Sequence, residues 1–293
     1  MLHLILQSVA NGVLIGSVYG LISVGLTLMF GVMNIVNFAQ GEYLMIGMMA
    51  AYFLSKFLQL DPLTVAPLVG VVGFLFGMLS ERLVIEPIIK APQSAQIIAT
   101  VGLGLVLANG VALIAGNNFL SVTTSYQSQT FNVLGLSFSA SFVYAAVCAL
   151  IMAIVLSLFL NKTRYGKAMR ATSQNRSAVQ LMGINPRWMY MLAFGIGSAL
   201  TMIAGAVILP YTLTYPYIGQ QFILIMFTVV VLGGLGSVRG AIIAGLVVGV
   251  IQSMSTLVLP IEIQNLPVFV VFFFALVLIP GGVLQRIRRG GQR

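Results

Sequence analysis

Charge is what this sequence has least of. Only 6% of its 293 residues are Asp, Glu, Lys or Arg, and just five are acidic. Soluble domains carry about a quarter charged residues, so this chain lacks the polar surface needed to stay in water. Cysteine and histidine are nearly absent too. Cys148 sits inside an apolar run and His3 beside the N-terminus, each the single residue of its kind. One cysteine excludes an internal disulfide and a thiolate metal cluster, and no metal ligand set is expected. No acid pair and no Ser/His/Asp set is placed for catalysis, since Asp61, Glu81, Glu86 and Glu262 all fall near expected helix ends. The chain is therefore expected not to be an enzyme. The phosphate-loop pattern G-x-x-x-x-G-K-[ST] is also missing, so the chain has no ATP site and binds no cofactor of its own. A proton- or sodium-driven carrier keeps ionisable groups inside the membrane. Here Glu42 is the one doubtful case, and energy must come from elsewhere.

What is present is apolar: 59% of the residues. A crossing helix takes about 20 apolar residues, so there is room for about eight to ten. The opening Met1-Leu2-His3 turns apolar at once, without the basic start of a signal peptide, and reads as a retained first helix. Polar breaks divide the rest into nine expected helices, at roughly 4–30, 42–58, 63–83, 94–115, 138–160, 188–209, 219–233, 240–258 and 266–284. The fold class is an all-α integral membrane protein, one transmembrane domain over 1–293. Nine crossings put the termini on opposite sides. With the N-terminus out and the C-terminus in, Arg82, Lys90, Lys162, Arg164, Lys167, Arg170, Arg176, Arg187, Arg239, Arg286, Arg288, Arg289 and Arg293 lie inside and only Lys56 outside. This is the asymmetry of the positive-inside rule. It accounts for the net charge of +9 through membrane lipid, without nucleic acid.

Three segments carry polar chemistry. In Gly31-Val-Met-Asn34-Ile-Val-Asn37-Phe-Ala-Gln40-Gly41-Glu42, three amides and a carboxylate fall between two apolar helices. Asn34, Asn37, Gln40 and Glu42 either line a polar path or gate, or cap broken helix ends, because buried amides need partners. The segment is a plain loop or a re-entrant one. A carboxylate in a helix's first turn is favoured by the helix dipole. The second segment is the loop at about 161–187, whose stretch from Arg170 has helical spacing, with Ala171, Ala178, Leu181 and Met182 on one apolar face and Asn185-Pro186 as the stop. It would lie on headgroups or dock on a partner. The third is Gly233-Gly234-Leu-Gly236-Ser237, with Gly240, Ala244, Gly245 and Gly249 beyond. No strand–turn–helix unit surrounds it, so its glycines are expected to serve a hairpin and close helix packing.

The residues Gly25-Leu-Thr-Leu-Met-Phe-Gly31-Val-Met-Asn34-Ile-Val-Asn37-Phe-Ala-Gln40-Gly41-Glu42, Tyr165-Gly166-Lys-Ala-Met-Arg170-Ala with Leu181-Met182-Gly183-Ile184-Asn185, and Leu232-Gly-Gly-Leu-Gly-Ser237 with Gly240-Ala241 stand in one order. In these motifs the chain resembles the LivH-type permeases of bacterial ABC importers for branched-chain amino acids. The resemblance implies a multi-pass protein of the bacterial inner membrane that pairs with a LivM-type second permease. It further implies two cytoplasmic ATPase subunits carrying ATP-Mg, and a periplasmic substrate-binding protein. Arg170, Ala178, Leu181, Met182, Gly183 and Ile184 would then belong to the loop that couples to an ATPase. Asn175 stands where many relatives have an acid, which leaves this loop purely basic. Inverted repeats are also implied, with the breaks at 31–42 and 232–241 as their equivalents. Related permeases take urea or short amides, and a stand-alone channel or carrier for a small neutral solute is the rival class.

Overall fold

A computed structural model describes residues 2–133, 135–260 and 263–278. The expected tail with Arg286, Arg288, Arg289 and Arg293, and Glu262, lie outside these residues. Helices dominate: α1 (Leu2–Met33), α2 (Gln40–Leu58), α3 (Pro62–Ser80), α4 (Glu86–Ile88), α5 (Gln93–Ala115), α6 (Ala140–Lys162), α7 (Arg164–Gln174), α8 (Arg176–Leu181), α9 (Pro186–Ile208), α10 (Gly219–Gly233), α11 (Val238–Ser255) and α12 (Leu266–Leu278). A π-helical turn, Glu81–Ile85, joins α3 to α4, so the third apolar segment runs on to Ile88. Six segments are long and apolar enough to cross a membrane: Leu2–Met33, Pro62–Ile88, Gln93–Ala115, Ala140–Lys162, Pro186–Tyr211 and Val238–Ser255. α10 and α12 are apolar but shorter.

The all-α expectation needs one amendment. Residues expected to be a polar interval form an antiparallel hairpin of β1 (Thr130–Val133) and β2 (Leu136–Ser139). The hairpin turns at Gly135, whose φ of +81° suits a residue without Cβ. The helix expected at 138–160, the fifth of the nine, is α6 and accordingly starts at Ala140. The loop at 161–187 is corrected as well. α6 runs to Lys162, and two short helices follow, separated at Asn175, whose side chain accepts from the Ala178 N–H and caps α8. Asn185-Pro186 was expected as a stop signal. It starts α9 instead: Asn185 accepts from the Arg187 N–H and Pro186 occupies the first turn, where its missing N–H costs nothing.

α9 lies at the centre, buried along most of its length and packed on α1, α2 and α3. Small residues make this possible. The glycines of α11 at Gly245 and Gly249 face Gly12, Gly16 and Gly20 of α1, so closely that a Cβ at Gly16 would strike the Gly245 carbonyl and one at Gly249 the Gly16 backbone. Gly25 meets Gly197, and Gly47 meets Met202, in the same way. Lipid offers no hydrophobic force between helices, and such contacts replace it with dispersion at short range. α5 and α6 are mostly exposed on their apolar sides and form the periphery.

Two ends of the bundle are distinct. At one, His3 bonds Gly135 O, Gln7 bonds Ser137, Leu120 pairs with Thr214, and Lys56 and Asp61 share a cleft with Ser121–Ser125. At the other, Arg187 pairs with Glu86 at 3.3 Å, Arg176 lies over the Tyr190 ring, and Arg170 and Arg239 line one cavity. Apart from Lys56, the described Lys and Arg residues belong to segments at this second end.

Candidate functional site

The break after α1 is built residue by residue. Asn34 has a φ of +57°, and its N–H bonds the Phe30 carbonyl at 2.8 Å. Asn tolerates this left-handed conformation better than most residues, and it ends α1 as a C-terminal cap. Asn37 Oδ1 accepts from the Ala39 N–H at 3.0 Å, and Asn37 Nδ2 donates to Gln40 Oε1 at 3.1 Å. Gln40 Nε2 donates in turn to Thr201 Oγ1 on α9 at 2.5 Å, and the Thr201 hydroxyl donates to the Gly197 carbonyl at 3.1 Å. Asn37, Gln40 and Thr201 are fully buried. The Asn37 and Gln40 amides are thus occupied with one another and with α9, which fixes the break.

The height of this junction follows from its partners. Thr201 lies about four turns, or ~22 Å, along α9 from Pro186 at the basic end. Gly41 packs on Gly219, the first residue of α10, and that is about 21 Å from Gly233. So α2 starts near mid-bundle, and 34–39 climbs to it as non-helical backbone. The segment is neither a plain surface loop nor a re-entrant turn that goes back to its own side: 34–39 is unwound backbone that α2 continues toward the opposite end, where Lys56 and Asp61 lie. Ile35, Asn37 and Ala39 are buried and Phe38 stacks on Phe227 with centroids 4.7 Å apart. Irregular backbone at such depth requires this protein cover.

Glu42 differs from the amides. It is 6% exposed, and its Oε2 has no hydrogen-bond partner among the described residues. The carboxyl lies against Gly219, and its Cγ lies near the surface of Gly104 on α5. It therefore sits at two helix N-termini, that of α2 and that of α10, whose dipoles favour a negative charge. A carboxylate held there keeps a lone pair for a donor that none of the described residues supplies. Asn34 stays apart from this group, exposed at the foot of α1.

The residues at the basic end also separate. Leu181 is 90% exposed and Met182 66%, and Gly183 turns the chain at φ +78° with open space around it. Ala178 is exposed and Ile184 half-buried. Ala178, Leu181 and Met182 thus face outward, while Gly166, Met169, Thr172 and Val179 are the residues turned inward. Arg170 stands off from the tip, donating to Asn161 Oδ1 at 2.8 Å. The glycine break lies deeper. Gly234 and Gly236 have φ of +88° and +84°, Gly233 packs on Gly240, and Gly236 touches Gly31, so the two breaks meet. Ser237 caps α11 by accepting from the Gly240 N–H. Sequence reasoning missed Thr201 and Gly219. The Gly197-Thr201-Gly205 spacing on α9, a polar residue within a small-residue stripe, was the available signal for the first. Gly219 offers none.

No solved structure matches the chain. The family model described as "Branched-chain amino acid transport system / permease component" matches residues 8–279. The permease LivH of a high-affinity branched-chain amino acid transport system of Escherichia coli K12 is 30% identical over 96% of each chain. The corresponding BraD of Pseudomonas aeruginosa is 29% identical over 96% of each. LivM of E. coli K12, another permease of such a system, is 25% identical over 81% of this chain and 61% of its own. By the match across nearly its whole length, the chain belongs to the branched-chain amino acid transport permease family.

Proposed function

We propose that the chain is the LivH-type permease subunit of an importer that carries branched-chain or similar aliphatic amino acids across the bacterial inner membrane. Its nine helical segments each complete a crossing, N-terminus out and C-terminus in, with 34–39 and α2 together making the second. A LivM-type permease pairs with it. Two cytoplasmic ATPases supply ATP-Mg, and a periplasmic binding protein delivers substrate. The tip at Leu181–Ile184 docks on an ATPase, whose closure rocks the helices about the junction at 34–42.

Glu42 carries this reading. A buried carboxylate inside a bilayer is costly and marks a pathway. Its free oxygen fits the ammonium of a zwitterion, whereas uncharged urea or a simple amide leaves the charge unmatched. The α10 N-terminus beside it suits the substrate carboxylate. Asn37 and Gln40 hold the path open and Asn34 marks its inner foot.

The test is leucine uptake by proteoliposomes holding both permeases and the ATPases, with binding protein outside. ATP-dependent uptake is expected, and none by the chain alone. Glu42→Gln should weaken apparent affinity about tenfold or more, the value of one charge-assisted bond, while the complex assembles normally. Uptake by the chain alone without ATP would overturn the subunit reading. Unchanged affinity in Glu42→Gln would remove the carboxylate from the path.

A further inference from the structure

Between the inner ends of α1, α6, α7 and α11 lies a cavity of about 320 Å³. Its polar wall holds the guanidinium groups of Arg170 and Arg239 and the hydroxyls of Ser157 and Ser173, and its apolar wall includes Leu28 and Leu160. No Asp or Glu lines it. Among the described residues the single ion pair is Arg187–Glu86, so neither cavity arginine has a carboxylate to neutralise it. Arg170 is held by Asn161, away from the exposed tip. α11 begins at the same wall with Ser237 as its cap, adding the positive end of an 18-residue helix.

From this arrangement we infer that the cavity is a binding site for the phosphate of an anionic phospholipid from the inner leaflet. The chemistry is that of a phosphate ester. Guanidinium groups bind phosphate through paired N–H donors, a helix N-terminus adds positive potential, and the Ser157 hydroxyl, which accepts from Asn161, keeps its own proton to donate, whereas that of Ser173 goes to the Arg170 carbonyl. Depth and shape select a lipid over a soluble anion. The cavity is cut by the last turns of α1 and α6 and the first of α11, which is headgroup level, and its apolar wall suits the glycerol end of an acyl chain. Basic pockets between helices on the cytoplasmic side are where anionic headgroups bind. The occupant would tie α7 to the transmembrane helices α1, α6 and α11, so its loss should loosen that connection.

The test uses the purified full-length chain in detergent, titrated with phosphatidylglycerol or phosphatidylcholine, with lipid adducts counted by native mass spectrometry. Phosphatidylglycerol should form its first adduct at roughly thirtyfold lower concentration than phosphatidylcholine, matching about 1 kcal/mol for each of the two arginines near the membrane surface. Arg239→Gln should cut that preference to about fivefold or less, and Arg176→Gln, outside the cavity, should keep it whole. Ser157→Phe, which fills the cavity and leaves both charges, should abolish it and decides the matter if Arg239→Gln does not fold. Equal binding of the two lipids, or an intact preference in Arg239→Gln or Ser157→Phe, would overturn the site. Displacement of phosphatidylglycerol by millimolar inorganic phosphate would assign the cavity to a soluble anion and overturn the lipid assignment.

Discussion

Gln40 and Glu42 are two residues apart, buried at one helix start, yet they differ in what they leave unsatisfied. Gln40 has a partner at each end of its amide, Asn37 and Thr201. Gln40→Leu strands both, and a buried polar group left without its bond costs about 1–3 kcal/mol. A lower unfolding temperature in detergent is expected, together with reduced uptake. A variant as stable as the unmodified protein would show that the chain Asn37–Gln40–Thr201 does not hold the break. Glu42→Gln is expected to leave stability nearly unchanged, because no internal bond to Oε2 is lost. At this scale the sequence displayed the participants and hid the pairing. Three amides and an acid between apolar helices announce a break. Which of them turn inward depends on Thr201, 161 positions away in sequence, and a single sequence does not display that distance as proximity.

Elements were more legible, because hydrophobic runs and punctuation fix them locally. The helices were found from charge-free stretches, and their ends from Asn34, Asp61-Pro62 and Gly234–Ser237. The hairpin at 130–139 was missed: four-residue strands in a polar stretch give too little alternation to outweigh their setting. Asn185-Pro186 was read in the wrong direction since Asn-Pro serves both to stop a helix and, with Pro at the first turn, to begin one. Spacing puts Leu181 and Met182 on one apolar face, and both are exposed at the end of a six-residue helix; whether lipid or a partner covers them is not written in spacing. Gly12, Gly16 and Gly20 carry a small-residue stripe as plain as the one noted on α11, and the two prove to be partners. Two predictions belong here. Gly16→Leu drives a side chain into the Gly245 carbonyl and the Leu246 backbone and should cost about 1–3 kcal/mol or more, measured as loss of folded protein on heating. Wild-type behaviour would mean that α1 and α11 can part. In contrast, the double substitution Leu181→Asp, Met182→Asp touches only exposed side chains and should shift stability by no more than about 0.5 kcal/mol. It should nevertheless abolish substrate-stimulated ATP hydrolysis by the assembled importer. Retained stimulation would refute docking at the tip.

For the molecule as a whole, the two ends of the bundle organise the account. The basic end holds the α7–α8 tip and the cavity beneath it, and the other holds the hairpin and the Lys56–Asp61 cleft. In the proposed subunit reading the ATPase contact lies at this basic end, on the α7–α8 tip. The unwound junction at mid-bundle and the meeting of Gly31 with Gly236 give such a contact a lever, since the two breaks touch where α1 ends and α11 begins. The sidedness of the tip is therefore the quantity to measure. Leu181→Cys, in a Cys148→Ser background, is exposed in intact cells and in inside-out vesicles to a membrane-impermeant maleimide. Labelling only in the inside-out vesicles, suppressed when the ATPase subunits are added, is the predicted result. Labelling of intact cells would put the tip on the outer face, beyond reach of any ATPase, and would contradict the mechanism.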